Sequence, residues 1–274
     1  MKKRIIVGYD GSSYSRAALL WAMDEAAHTD ATVELVHADE RPIVVSPHPE
    51  STLERAVATA RKAQPLVEVT ARTVDAYAVP TLVDLSRQAD LIVIGGRGHS
   101  IVAGLLGSVS TAVSAHARCP VVVVRGEATA GPVVAGVDGT DRAPEVLAFA
   151  AAQAAARKAP LRVIRAWPPV TGLWEETPIV TNAVTGRERE PFDTLIAEIG
   201  DAYPDVSIVA EATVAHPAAV LTLASAHAQL LVIGSRGHGP FSGLLLGSVS
   251  QHLLRNASCT VAVVHHRGSS GPTR

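Results

Sequence analysis

Apolar residues along this chain come in two rhythms, short unbroken runs and runs recurring every three or four positions, and the two alternate throughout. Ile5–Tyr9 is an apolar run stopped by Asp10-Gly11, the pattern of a buried strand. Ser13–His28 sets Ala17, Leu20, Trp21 and Asp24 three and four apart, which predicts an amphipathic helix with that stripe inward. Thr32–His37 is apolar and β-branched, a second strand. A loop from Val44 then leads into a helix from about Ser51 to Ala63. Leu66–Val74 alternates as a third strand, and Pro80 suits the first position of a helix ending near Gln88. Leu91–Ile94 is a fourth strand running into Gly95, Ser108–Ala117 a helix, and Val121–Val124 a last strand.

The same order then returns. Strands are predicted at Val133–Val137, Leu161–Ala166, Ser207–Val214, Leu230–Ile233 and Val261–Val264, with helices at Pro144–Arg157, Phe192–Ala202, Pro217–Ala228 and Ser248–Asn256. The repetition is also literal. Residues 91–98, LIVIGGRG, recur as 230–237, LLVIGSRG; 105–110, LLGSVS, recur as 245–250; 117–124, ARCPVVVV, recur as 257–264, ASCTVAVV. Asp10 and Asp138 lie 128 positions apart, Gly95 and Gly234 lie 139 apart, and Cys119 and Cys259 lie 140 apart, so the second copy is longer in its middle. The expected place is Trp167 to Pro191. A domain-sized period means tandem duplication, as does a length of 274 residues, about 1.8 times a common domain size. The expected division is 1–128 and 132–266, with 267–274 a flexible tail. Strands alternating with helices, several unbroken in apolarity, imply α/β domains with parallel sheets covered on both faces. Ligands in such sheets sit beyond the carboxyl ends of the strands, where strand order reverses.

Composition narrows the function. Hydrophobic residues make up 47% and charged residues 18%, enough for two cores and too apolar for a disordered chain. A net charge of −2 and 4% aromatics leave neither an electrostatic footprint nor stacking platforms for nucleic acid. The start of the chain lacks a signal-peptide core, no run reaches the ~18 apolar residues of a membrane helix, and the two cysteines suit a reducing compartment. The expectation is a cytoplasmic protein with no nucleic-acid or membrane partner.

The glycine-rich segments carry the chemistry. Gly234-Ser235-Arg236-Gly237 follows an apolar strand, and nine residues later Gly247-Ser248 opens a helix. Glycines let backbone approach a phosphate, successive N–H groups make an anion nest, and the helix start adds unsatisfied N–H groups and a positive dipole end. Ser248 and Ser250 would add hydroxyls, and Arg236 a charge. Asp10 and Asp138, each ending a first strand, either cap a turn or receive ribose and amide hydrogen bonds. Walker A, the dinucleotide fingerprint and the hydrolase elbow are all missing. His265-His266, just past the last strand, reads as a solvated end, and His99 and His238 as exposed loop residues. No pair of catalytic groups repeats in both copies, so no catalytic residues and no metal ligands are assigned.

These motifs resemble the universal stress protein family, in the tandem two-domain form found in actinobacteria. The resemblance spans nearly all of 1–266 and centres on Gly-x2-Gly-x9-Gly-Ser/Thr, present as Gly234, Gly237, Gly247 and Ser248. It implies two Rossmann-like domains, each a five-stranded parallel sheet of order 3-2-1-4-5 flanked by helices. It also implies ATP, with Mg2+, as ligand. The triphosphate would meet Gly234, Arg236, Gly237, Gly247, Ser248, Val249 and Ser250, with ribose and adenine near Asp138 and Ala166. The first-copy counterparts are Asp10, Ala38, Gly95, Arg97, Gly98, Gly107, Ser108, Val109 and Ser110. The first copy departs from the motif: eight residues, not nine, separate Gly98 from Gly107, and Pro80 to Gly95 spans 15 positions against 17 from Pro217 to Gly234. A weaker first site is therefore expected. The implied role is a nucleotide-dependent regulator or sensor in a stress response, homodimeric through the last-strand edges. The alternatives are a weak ATPase or phosphoryl-transfer enzyme, or a nucleotide-free dimeric scaffold.

Overall fold

The computed structural model describes residues 2–39, 49–96, 107–125, 130–168, 186–237 and 246–265. The chain divides into two compact units, Met1–Arg125 with Val263–Arg274, and Gly126–Ala262. Arg97, Gly98, His99, His238, His266, most of the expected junction and insertion, and the 267–274 tail lie outside the described residues.

Unit 1 runs β1 (Lys3–Gly8), α1 (Ser13–Thr29), β2 (Ala31–Ala38), α2 (Pro49–Ala63), β3 (Val69–Val74), α3 (Ala78–Leu85), β4 (Leu91–Gly95), α4 (Ser108–His116) and β5 (Val121–Val124). Its pairings are all parallel: β1 lies between β2 and β4, β2 also pairs with β3, and β4 with β5. Unit 2 repeats the succession as β6 (Val133–Val137), α5 (Ala143–Arg157), β7 (Leu161–Trp167), α6 (Gly186–Ala202), β8 (Ile208–Val214), α7 (Pro217–Ser225), β9 (Leu230–Gly234), α8 (Ser248–Asn256) and β10 (Thr260–Val264). There β6 lies between β7 and β9, and β7 pairs with β8, again parallel. The unbroken apolar runs are the central strands: Ile5, Ile6 and Val7 of β1 and Leu91–Ile94 of β4 are all buried. The alternating segment became β3, whose residues after Val69 are largely exposed. A strand covered on both faces has no polar side to alternate with.

Several expectations shift in detail. In α1 the buried stripe includes Ala18, Leu19, Ala22, Met23 and Ala26, on a different face from the predicted one; Leu20 is exposed and Trp21 only half-buried. The predicted stripe carries Asp24, whereas the buried face is mostly small and apolar and also takes in Ser15 and Glu25. Leu66 is 99% exposed in the turn before β3, so that strand starts later than its alternation suggested. Pro80 is the third residue of α3 rather than the first, still within the turn whose N–H groups need no intrahelical acceptor. Helix α6 begins at Gly186, six residues before the predicted start at Phe192, with Pro191 inside it. Helices α1 and α5 end on left-handed residues that are not glycine, Asp30 (φ 48°) and Lys158 (φ 51°), at matching places in the two copies.

One feature of the sheets is a mirror of charge. In unit 1 Glu34 of β2 takes hydrogen bonds from Arg72 of β3 (2.6 Å) and from Arg4 of β1. In unit 2 the signs are exchanged: Arg162 of β7 meets Glu211 of β8 at 2.6 Å. The duplication kept the cross-strand pair and reversed its polarity.

Candidate functional site

In unit 1 the carboxyl ends of β1, β2 and β4 open onto a cavity of about 300 Å³. β1 supplies Gly8 and the following Tyr9 and Asp10; β2 supplies Val36 and Ala38; β4 supplies Ile94 and Gly95. Leu82 and Ala78 of α3 close one side, and Gly107, Ser108, Val109 and Ser110 at the start of α4 another. This is where the neighbours of β1 belong to connections running in opposite directions, the usual place for a ligand in an open parallel sheet. Asp10, Ala38, Gly95, Gly107, Ser108, Val109 and Ser110, chosen on sequence, thus line one space.

The start of α4 is built for an acceptor-rich ligand. Gly107 is the N-cap in extended conformation and gives no side-chain cap. The first intrahelical bond runs from Thr111 N–H to the Gly107 carbonyl (3.1 Å), leaving the N–H groups of Ser108, Val109 and Ser110 without intrahelical acceptors. The Gly107 N–H itself donates to the Gly96 carbonyl (3.1 Å), which ties the helix start to the end of β4. Ser110 is buried, and its hydroxyl donates to the Gly95 carbonyl at 2.8 Å. Its side chain therefore positions the helix, whereas sequence reading made it a ligand donor. Unit 2 repeats each part. Gly247 caps α8 without a side-chain bond and donates to the Ser235 carbonyl (2.8 Å), and Ser250 donates to the Gly234 carbonyl (2.7 Å).

The strand-end aspartates are held in turns. Asp10 Oδ1 accepts the Ser12 N–H at 2.9 Å, and Asp138 Oδ1 accepts both the Thr140 N–H (3.0 Å) and its hydroxyl (2.5 Å). The other oxygen of Asp138 lies against Gly237, where a Cβ would stand only 2.5 Å from it. A side chain at 237 would therefore require the Asp138 carboxylate to shift. Arg236 and Ser248 are exposed, Val249 half-buried; Ala166 is half-buried in β7 opposite Thr213, between Arg165 and Trp167, whose guanidinium and ring stack at 4.5 Å.

Sequence reasoning missed Tyr9 and the α3 wall. Tyr9 lines the cavity and is 5% exposed; burial pushes its phenol above the usual range, Asp10 adds to the rise, and Arg16 and Arg55 oppose it. A Cβ on Gly8 would stand 3.1 Å from a Leu82 methyl, and one on Gly136 would stand 2.6 Å from a Leu221 methyl. The signal was available, since both glycines interrupt apolar strands at matching positions. The same contacts make Leu82 the counterpart of Leu221, 139 residues on, and hence Ala78 the counterpart of Pro217. The difference of 15 against 17 positions arose from matching Pro80 to Pro217; measured from Ala78 the two copies agree, and the shorter stretch after Gly98 is the remaining departure. His265 is not a solvated end either. It is buried, with Nε2 2.9 Å from the Ser114 carbonyl oxygen, and both residues belong to the first compact unit. Among the described residues no group of three or more His, Cys, Asp or Glu is placed to hold a metal, and no helix is long and apolar enough to cross a membrane.

Comparison with known proteins gives a consistent result. The universal stress protein family matches residues 1–125 and 130–265. A universal stress protein of Mycolicibacterium smegmatis is 35% identical over 293 residues, covering 96% of this chain and 97% of its own. One from Mycobacterium tuberculosis is 32% identical over 284 residues, covering 94% and 96%. The crystal structure of a universal stress protein of Pseudomonas aeruginosa shares the fold, with a TM-score of 0.71 at 19% identity, covering 97% of this chain and 94% of that one.

Proposed function

This chain belongs to the universal stress protein family, as a tandem pair of its domains, and from that premise we propose that it binds ATP and works as a nucleotide-dependent regulator or sensor in a stress response. The observation that carries the reading is the cavity of unit 1. It joins a strand-end carboxylate, the end of β2 and an uncapped helix start, drawn from stretches far apart in the chain. In this reading the phosphates lie on the N–H groups of Ser108, Val109 and Ser110, where the helix dipole favours negative charge. Gly95, with Arg97 and Gly98, borders them. The ribose and base lie toward Asp10 and Ala38. Mg2+ bound with the triphosphate would supply charge neutralisation. In unit 2, Gly234, Arg236, Gly237, Gly247, Ser248, Val249 and Ser250 take the phosphates, and Asp138 and Ala166 the nucleoside.

The protein's residues bind and orient in this scheme. ATP acts through the difference in its affinity for two states of the chain, since a ligand biases a conformation only to that extent. The stretch after Gly98 is one residue shorter than its counterpart, and in this reading unit 1 is the weaker site.

The test is to denature the purified protein, identify any released nucleotide, and titrate the emptied chain with ATP-Mg2+ by calorimetry. The expected result is an adenine nucleotide and two unequal sites per chain. Absence of nucleotide and of binding refutes the reading in favour of a scaffold, and two equal sites refute the inequality. Substantial ATP turnover abolished by Asp138→Ala would replace it with phosphoryl transfer. Light scattering is expected to show two chains associated; only a 28.5 kDa species would remove the dimer.

A further inference from the structure

Unit 1 has a charged corner whose residues are not repeated in unit 2. Arg16 of α1 donates from Nη1 to the Gly11 carbonyl at 2.8 Å. Thr52 at the start of α2 lies against the same glycine, its methyl 3.2 Å from where a Cβ would stand. One turn further along α2, Arg55 turns back on Thr52, with Nη2 3.5 Å from its hydroxyl oxygen and Nε 3.0 Å from the Ser51 carbonyl. Two guanidinium groups thus gather at Gly11, directly after Tyr9 and Asp10, which line the cavity. Both act electrostatically on the Tyr9 phenol. Both arginines are exposed, and Arg16 also hydrogen-bonds the Tyr9 phenol, so each guanidinium keeps N–H donors beyond these bonds. Asp10 lies in the same corner and Glu54 precedes Arg55; Asp10 holds the turn through the Ser12 N–H.

The duplicate supplies a comparison. By the offsets that relate the copies, Tyr9, Arg16 and Arg55 correspond to Val137, Pro144 and Thr194. All three polar groups are replaced at once. The strand-end aspartate itself is common to both copies, and in unit 2 Asp138 takes the Thr140 N–H and hydroxyl.

We infer that unit 1 takes an adenine nucleotide carrying a second phosphate on its ribose, with Arg16 and Arg55 receiving that phosphate while the start of α4 receives the 5′ phosphate. The inference rests on the nucleotide reading above, which places the ribose beside Asp10. Guanidinium groups are suited to it because their forked donors match phosphate oxygens in pairs.

The experiment is calorimetric titration of the emptied full-length protein with adenosine 5′-monophosphate, adenosine 3′,5′-bisphosphate and adenosine 2′,5′-bisphosphate at low and moderate salt. One bisphosphate isomer is expected to bind at a single site per chain about tenfold or more tighter than the monophosphate. That preference should shrink as salt rises. In Arg16→Gln/Arg55→Gln, with unchanged circular dichroism, the ratio should fall to about one. Equal affinities in the wild type, two equivalents with the same preference, or a preference that survives the double variant would each overturn the inference while leaving nucleotide binding in place. Failure of all three probes and of ATP to bind would overturn both.

Discussion

Replacing Gly95 by alanine places a methyl group 2.8 Å from the carbonyl carbon and the Cβ of Tyr14 and 2.9 Å from its carbonyl oxygen. Two of these are backbone atoms in the first turn of α1, so no side-chain rotation relieves the clash. Ordinary contact begins at 3.4 Å, so α1 or β4 must retreat by about 0.6 Å or more, and that helix buries Leu19 and Met23 along the same face. Overpacking a close-packed interior costs about 1–3 kcal/mol. With a urea dependence of about 2 kcal/mol per molar, the unfolding midpoint falls by roughly 0.5–1.5 M. The displaced Gly95 carbonyl also draws away from the Ser110 hydroxyl, loosening the start of α4, so ATP affinity falls as well. Gly200 in α6 is the matched control: no atom lies within 4 Å of its added Cβ, and alanine there is expected to gain up to about 1 kcal/mol from helix propensity. Urea denaturation followed by circular dichroism reads both variants. A Gly95→Ala midpoint equal to or above the wild type would refute the packing argument.

Gly237→Ala presses a methyl onto Asp138, whose other oxygen is pinned by Thr140; calorimetry should show one of the two ATP sites weakened about tenfold or more, about 1.4 kcal/mol, and unchanged isotherms would contradict it. The Tyr9 phenol is raised by burial, so the folded state holds its proton longer than the unfolded chain. Its contribution to stability is complete below about pH 10 and is lost as pH climbs through the folded value. Unfolding free energies measured from pH 9 to 11 should fall less steeply in Tyr9→Phe, and an identical slope would remove the effect. Reversing the pair in unit 2, Arg162→Glu with Glu211→Arg, should restore most of what either single change costs, a few tenths to about 1 kcal/mol. The same reversal in unit 1 should restore less, because Arg4 then faces an arginine at position 34; equal recovery in both units would show that Arg4 contributes nothing.

Periodicity located nearly all of the elements because it depends on neighbours in the chain. β5 and α8 begin and end where the pattern placed them, since an unbroken valine run and a glycine cap each mark their own limits. Boundaries drifted where two signals competed, as at Leu66, Pro80 and Pro191. The site was legible for a related reason: duplication wrote the same glycines and serines twice, and Asp10, Ala38, Gly95 and the start of α4 do meet in one cavity. Tyr9 was not legible because its counterpart Val137 breaks the repetition that marks the other cavity residues.

By itself the sequence determined two α/β units, the succession of their elements and the glycine-framed helix starts, all properties of stretches shorter than about twenty residues or of one stretch compared with its copy. Tertiary structure alone decided which apolar stripe of α1 faces the sheet, that the Ser110 and Ser250 hydroxyls bind β-strand carbonyls, that Gly237 lies on Asp138, and that His265 is buried against Ser114. Each of those is a separation of a few ångströms between groups 15 to 151 residues apart or a choice between faces of one helix, and such distances exist only once the sheet has brought the strand ends together.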